Sequence, residues 1–259
     1  MSNFQVPVNL YMSQPVHSVS PDASLEEAYD AIFEAGVSSL VVLDPDGEPL
    51  GIISRTDLLR VGGQASGTRP EASLLSFPER TVSDEMTENV RSVSGDATLT
   101  EAARVMVKNR IHRVVVTEDG RATGVLSTRD LMRAIDEKGT NAPVSEFMSS
   151  PVFTIRAEEG LSLAKERLEK ARVSGLVVVE DDWPVGIFTQ TEAMEARYVR
   201  RATAVADVMS PRILSLSSRT RLHRAAAQAV ATNVRRVVVQ DGEELVGILS
   251  GLDFARAVA

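Results

Sequence analysis

The sequence predicts an α+β protein of four tandem units, each running β–α–β–β–α, and three recurrences in register predict it. The first is the stretch "GIISRTDLLR" at 51–60, which returns as "GVLSTRDLMR" at 124–133, "GIFTQTEAME" at 186–195 and "GILSGLDFAR" at 247–256. Each copy has a glycine, an apolar pair, a hydroxyl residue and, three positions later, an acid. The second is an opening motif: "VNLYM" (8–12), "VSDEM" (82–86), "VSEFM" (144–148) and "VADVM" (205–209). The third is the pattern between these landmarks, a helical face followed by two β-branched runs about a turn.

Each element can be justified in order. After the opening comes a short extended segment, "PVHSVSP" in the first copy, and then "DASLEEAYDAIFEAG" (22–36). Leu25, Ala28 and Ile32 fall on one helical face, Ser24 and Glu27 make a capping box, and Gly36 supplies a stop. The second copy repeats this with Thr98 and Glu101 as the box and Leu99, Ala102 and Met106 facing inward. The third and fourth keep the face (Leu161, Ala164, Leu168; Leu222, Ala225, Ala229) without the box. Paired apolar runs follow, joined by "DPDG" or a related turn, and they read as a hairpin. A second helix starts at the recurrent acid. The units span 1–61, 82–138, 139–200 and 201–259, and the Gly-, Ser- and Pro-rich 62–81 reads as a linker or flap, with "EASLLSF" as a candidate short helix. One such unit buries too little surface to stand alone, so four copies make two pairs.

Composition narrows the function. Hydrophobic residues make up 43% and aromatics 4%, so the core is aliphatic. Cys is absent, which excludes disulfides and thiolate chemistry. The formal charge of −8 argues against phosphate backbones as partners, although a few convergent basic residues can still hold a small anion. No apolar run approaches the roughly 20 residues of a membrane span, and the start of the chain does not read as a signal peptide, so a cytoplasmic protein is expected. His17 and His223 lack partners at metal-ligand spacing, and no Walker loop, nucleophile elbow or dinucleotide fingerprint occurs. A non-catalytic protein without metal or obligatory cofactor is expected.

The β–α–β–β–α order, the "G-h-h-[ST]-x-x-[DE]" endings and the "V-x-x-h-M" openings together resemble the CBS (cystathionine β-synthase) domain family, from about Val8 to Phe254. The resemblance implies repeats paired about a pseudo-twofold axis as Bateman modules, with two clefts per pair for adenosine derivatives. Four repeats are similar to the nucleotide-sensing γ subunit of AMP-activated protein kinase, in which two modules form a disk. The implied role is a regulatory sensor of AMP, ADP or ATP that reports occupancy to a protein partner, with energy sensing as its purpose. The alternatives are S-adenosylmethionine in the same clefts, or a scaffold that forms homodimers without ligand.

A carboxylate can accept from both ribose hydroxyls at once, and a hydroxyl residue one turn earlier can reach the same nucleoside. Candidates on the ribose side are Ser54, Thr56 and Asp57, Ser127 and Asp130, Thr189 and Glu192, and Ser250 and Asp253. An acid in a first helical turn can equally be a cap. Before the middle strand, "IHRVVV" and "VRRVVV" in copies two and four face "VSSLVV" and "VSGLVV" in copies one and three. The resemblance places these positions by the phosphates, so His112 and Arg113 are expected to oppose Asp57, and Arg235 and Arg236 to oppose Glu192. Asp130 and Asp253 would meet Ser38–Ser39 and Ser174–Gly175. Arg55, Lys108 and Arg129 are auxiliary phosphate candidates. Strand alternation aims His112 and Arg113 at opposite faces.

Overall fold

In the computed structural model, which describes residues 4–65, 77–171, 173, 175–196, 199–200 and 202–259, local chemistry sets the helices first. Helix α1 (Leu25–Glu34) starts at the Ser24–Glu27 capping box and buries Leu25, Ala28 and Ile32, and Gly36 beyond its end takes φ +63°. Short β1 (Ser18–Val19) lies parallel to β2 (Ser39–Leu43), which turns back antiparallel into β3 (Pro49–Ser54). Helix α2 (Arg55–Ala65) follows. This is the expected unit.

The order recurs. Unit two has β5 (Ser92–Ser94), α4 (Leu99–Asn109), β6 (Arg113–Glu118), β7 (Arg121–Ser127) and α5 (Thr128–Glu137), after α3 (Val82–Glu85) and β4 (Thr87–Glu88). Unit three has β8 (Thr154–Arg156), α6 (Leu161–Ala171), β9 (Gly175–Glu180), β10 (Trp183–Thr189) and α7 (Gln190–Glu195). Unit four has β11 (Leu214–Leu216), α8 (Leu222–Ala231), β12 (Arg236–Asp241), β13 (Glu244–Ser250) and α9 (Gly251–Val258). Residues 71–76 of the expected linker helix lie outside the described residues. Phe77, just after them, packs its ring 5.7 Å from that of Tyr29.

The openings explain the pairing. Each forms one short helical turn whose valine is fully buried: Val8, Val82, Val144 and Val205. Val82 joins the core of unit one beside Leu25, Ile32 and Ile53, and Val205 joins that of unit three beside Leu161 and Phe188. The exchange is reciprocal. Val8 N–H donates to Ala97 O at 2.8 Å and Val82 N–H to Ala23 O at 2.9 Å. Val144 N–H donates to Thr220 O at 2.8 Å and Val205 N–H to Glu159 O at 2.9 Å. Units one and two therefore interlock, as do three and four.

The recurrent methionine and glycine are two halves of one contact. A Cβ on Gly51, Gly124, Gly186 or Gly247 would sit 2.4 Å from the sulfur of Met86, Met12, Met209 or Met148, each from the opposite unit of its pair. Only hydrogen lets the thioether lie on the strand there, and it explains four glycines beside bulged hairpins. The middle strands are apolar on both faces because both are covered. In β9, Leu176 and Val178 pack with α6, whereas Val177 and Val179 pack against Val238 of β12.

By contact the chain divides into two compact parts, one of Val6–Thr98 with Arg113–Ser127, the other of Leu99–His112 and Thr128–Ala259 with residues 4–5. Within the second, the helices of unit two pack on those of unit four. Thr100 Oγ1 donates to Val258 O at 2.8 Å, and Arg104 Nε to Ala259 O at 3.0 Å. The crossing is closest at Gly251, where a Cβ would fall 2.6 Å from Thr128 Oγ1 and 3.1 Å from His112 Nδ1. Thr128 is buried and has little room to rotate. Gly251→Ala is expected to cost about 1–3 kcal/mol by overpacking, read as a lower urea midpoint at unchanged slope.

Candidate functional site

The hydroxyl residue that ends each hairpin lies opposite the first residue of the middle strand. The register pairs Ser39 with Ser54, Arg113 with Ser127, Gly175 with Thr189 and Arg236 with Ser250. Directly opposed residues share a sheet face, so each recurrent acid stands over the start of its own middle strand. The equivalent starts of paired units then meet, as a pseudo-twofold requires.

In the first pair, the Arg113 guanidinium reaches unit one. Its Nη2 donates to Ser38 Oγ at 3.1 Å and its Nη1 donates to Ser39 Oγ. Because Ser39 opposes Ser54, this cation sits on the face that carries Ser54 and Asp57. In the second pair, Arg236 occupies the space above Gly175: a Cβ there would be 3.0 Å from Arg236 Nε and 3.2 Å from Thr189 Cγ2. Burial pulls the Arg236 guanidinium below its ordinary pKa, while the nearby Glu192 carboxylate acts in the opposite sense. Arg113 is thus brought to Asp57's strand face, and Arg236 to Glu192.

His112 goes elsewhere. Its ring lies by Gly251 and Thr128, so it does not join Arg113 at Ser38–Ser39, and the alternation of consecutive residues accounts for the separation. Arg235 is exposed. Arg129, an auxiliary phosphate candidate by sequence, instead donates to Val230 O at 2.9 Å and to Asn233 Oδ1, closing the C-terminal end of α8. Ser38 and Ser39 meet Arg113 itself, and Ser174 lies outside the described residues.

The four acids are not alike. Asp57 Oδ2 accepts from Ser54 N–H at 3.0 Å and from Ser54 Oγ at 2.6 Å, a capping box at the start of α2. Its other oxygen faces Arg60 Nη2 at 3.7 Å, and its side chain is 18% exposed. Asp253 repeats the box with Ser250 but is 2% exposed, and Oδ1 also accepts from Ser149 Oγ at 2.9 Å and from Arg256. Two oxygens offer about four acceptor sites, and Asp253 uses them all. The geometry makes Asp253 a structural lock on the exchanged segment of unit three. Asp130, with a side chain 6% exposed, accepts from Arg133 at 2.5 Å. Glu192 accepts from Thr189 N–H at 2.9 Å and from Thr189 Oγ1. Thr56 and Ser127 are half-buried beside their caps.

The arginine three positions beyond the acid was legible in "DLLR", "DLMR" and "DFAR", and sequence reasoning missed it; unit three has Glu195 there. A separate hollow of about 350 Å³ opens between α6 and β8, lined by Phe153, Leu163, Arg167 and Leu176 among others. Its Arg167 donates to both oxygens of Glu159 at 2.9 Å and to Thr154 O at 3.1 Å, so this cation is spent on the fold. Among the described residues no cluster of acids and histidines suits a metal, and no helix is long and apolar enough to cross a membrane.

Four interlocked β–α–β–β–α units in two reciprocal pairs define a tandem-module protein. The CBS domain model matches residues 8–63, 82–137, 144–198 and 205–259, and the chain belongs to the CBS-domain family. The crystal structure of protein MJ1225 from Methanocaldococcus jannaschii, described as a candidate archaeal homologue of γ-AMPK, superposes with TM-score 0.78 at 20% identity, covering 98% of this chain and all of that one. An uncharacterised conserved protein from Pyrococcus horikoshii gives TM-score 0.71 at 20% identity and 98% coverage. At such identity the likeness is one of fold. By sequence, homoserine O-acetyltransferase from Methanohalophilus mahii is 35% identical over 102 residues, 39% of this chain. The chain spans only 21% of that enzyme's length, and nothing of the transferase activity carries over.

Proposed function

We propose that the chain is a non-catalytic regulatory protein that binds adenosine nucleotides (AMP, ADP or ATP) between paired repeats and signals occupancy to a protein partner. The observation that supports this reading most is the reach of Arg113 from unit two onto the strand face of Ser54 and Asp57 in unit one. A ribose would be gripped by Asp57 and Ser54, and a phosphate by Arg113 in place of Ser38 and Ser39. Charge-assisted bonds to phosphate are stronger than those to neutral hydroxyls, so the exchange favours the ligand. Occupancy changes what holds two repeats together, which is how a ligand that binds two states unequally shifts them.

Calorimetric titration with AMP, ADP, ATP and S-adenosylmethionine, with mass spectrometry of ligand released from the purified protein, tests the reading. Arg113→Ala is expected to weaken a nucleotide phosphate by about 1.5–3 kcal/mol, ten- to a hundredfold in Kd. No binding of any of the four at millimolar concentration rejects it. A scaffold that needs no ligand is the second reading, favoured by the closed bonding of Asp253. It predicts unchanged thermal stability under saturating nucleotide, where a bound ligand would raise it.

A further inference from the structure

We infer that the two arginine-bearing clefts differ in ligand: the cleft of Asp57 and Arg113 takes an anionic nucleotide, and that of Glu192 and Arg236 takes an adenosine derivative uncharged at its 5′ end. This deepens the nucleotide-binding reading and rests on it. Two observations specific to this chain carry it. The first is the seat of the arginine. Arg113 donates to the hydroxyl oxygens of Ser38 and Ser39, neutral acceptors whose place an incoming anion can take. Unit three offers Gly175 at the matching register position, and Arg236 packs onto that bare backbone, with Glu192 as the acid that acts on it.

The second is the charge at matching positions. Asp57 is followed three residues later by Arg60, 3.7 Å away, and preceded by Arg55. Glu192 is followed at the same spacing by Glu195 and preceded at Arg55's position by Gln190. Even with Arg235 counted beside Arg236, the unit three set sums to neutrality, whereas Arg55, Asp57, Arg60 and Arg113 keep a positive excess even with Glu85, which faces Arg60 and Arg80, counted among them. A phosphate dianion gains attraction in one setting; in the other it gains none and still loses hydration on entry, and part-buried sites screen such a difference less than open surface does. A neutral nucleoside is indifferent to it and keeps the sugar contacts of Thr189 and Glu192.

The test uses the full chain carrying Asp57→Ala, titrated with AMP and with adenosine. Binding is assigned to the unit three cleft by its loss on adding Glu192→Ala. Adenosine is expected to bind at least tenfold more tightly than AMP, and adding Glu195→Arg, an exposed change that restores the arginine of the other units, is expected to improve AMP at least threefold with adenosine unchanged. AMP binding as tightly as adenosine, or an AMP-to-adenosine ratio unmoved by Glu195→Arg, overturns the inference while leaving nucleotide sensing intact. If the unaltered chain binds neither adenosine nor any nucleotide, the underlying reading fails instead.

Discussion

Asp253→Ala should lower folding stability by about 2–4 kcal/mol, because it removes the common acceptor of four donors inside the second pair. The N–H and hydroxyl of Ser250, the hydroxyl of Ser149 and the Arg256 guanidinium all converge on its two oxygens, and the side chain is 2% exposed. The cap of α9 accounts for about 1 kcal/mol. The rest comes from leaving the Ser149 hydroxyl without its acceptor and from taking the carboxylate away from Arg256, which keeps only Phe147 O and Ser149 Oγ at 3.2 Å; Ser149 belongs to the exchanged opening that bridges to Ile248. The loss is a large fraction of the 5–15 kcal/mol that a domain ordinarily holds, so urea unfolding should show it as a marked fall in midpoint. Asp57→Ala, which empties an 18% exposed cap with Arg60 at 3.7 Å, should cost nearer 1 kcal/mol. Equal costs at the two positions would show that Asp253 is no more a lock than Asp57.

That contrast marks where reading the sequence stops. The repeated acid was visible, and so were both of its readings, cap and sugar contact. What separates Asp57 from Asp253 is burial and the arrival of Ser149 from a segment about a hundred residues upstream, which local pattern does not encode. The α1 face, its capping box and the Gly36 stop were legible because each depends on residues within a few positions of one another. The openings were legible as landmarks but not as exchanged pieces, since four similar units do not say whose valine fills whose core. Glycine alone suggests a bend and methionine alone suggests packing; the distance from each virtual Cβ to sulfur joins them. Arg129 shows another contact that local pattern does not encode. A basic residue beside a predicted cleft invites a phosphate, but this one completes a helix end formed by Val230 and Asn233.

Gly186→Ala should be the most damaging of the four equivalent glycine replacements, at about 3 kcal/mol, with Gly51→Ala, Gly124→Ala and Gly247→Ala nearer 1 kcal/mol. All four added methyl groups would meet a methionine sulfur at 2.4 Å, yet a thioether has several torsions and can swing aside. At Gly186 the methyl would also lie 2.8 Å from the backbone oxygen of Ser210, which cannot move alone. Ser210 is tied to β10 by two bonds, Ile187 N–H to Ser210 O and Ser210 N–H to Ile187 O, both 2.9 Å. To relieve the clash the exchanged segment must lift, and Met209 and Val205 lift with it, uncovering the unit three core around Phe188. Met209→Ala placed on Gly186→Ala separates the two contributions. If sulfur crowding dominates, the double variant recovers most of the loss; if the Ser210 carbonyl dominates, as this geometry requires, it recovers little. Matching urea midpoints for all four single variants would mean that the exchanged segments give way as readily as a side chain, and that the interlock is looser than its bonds imply.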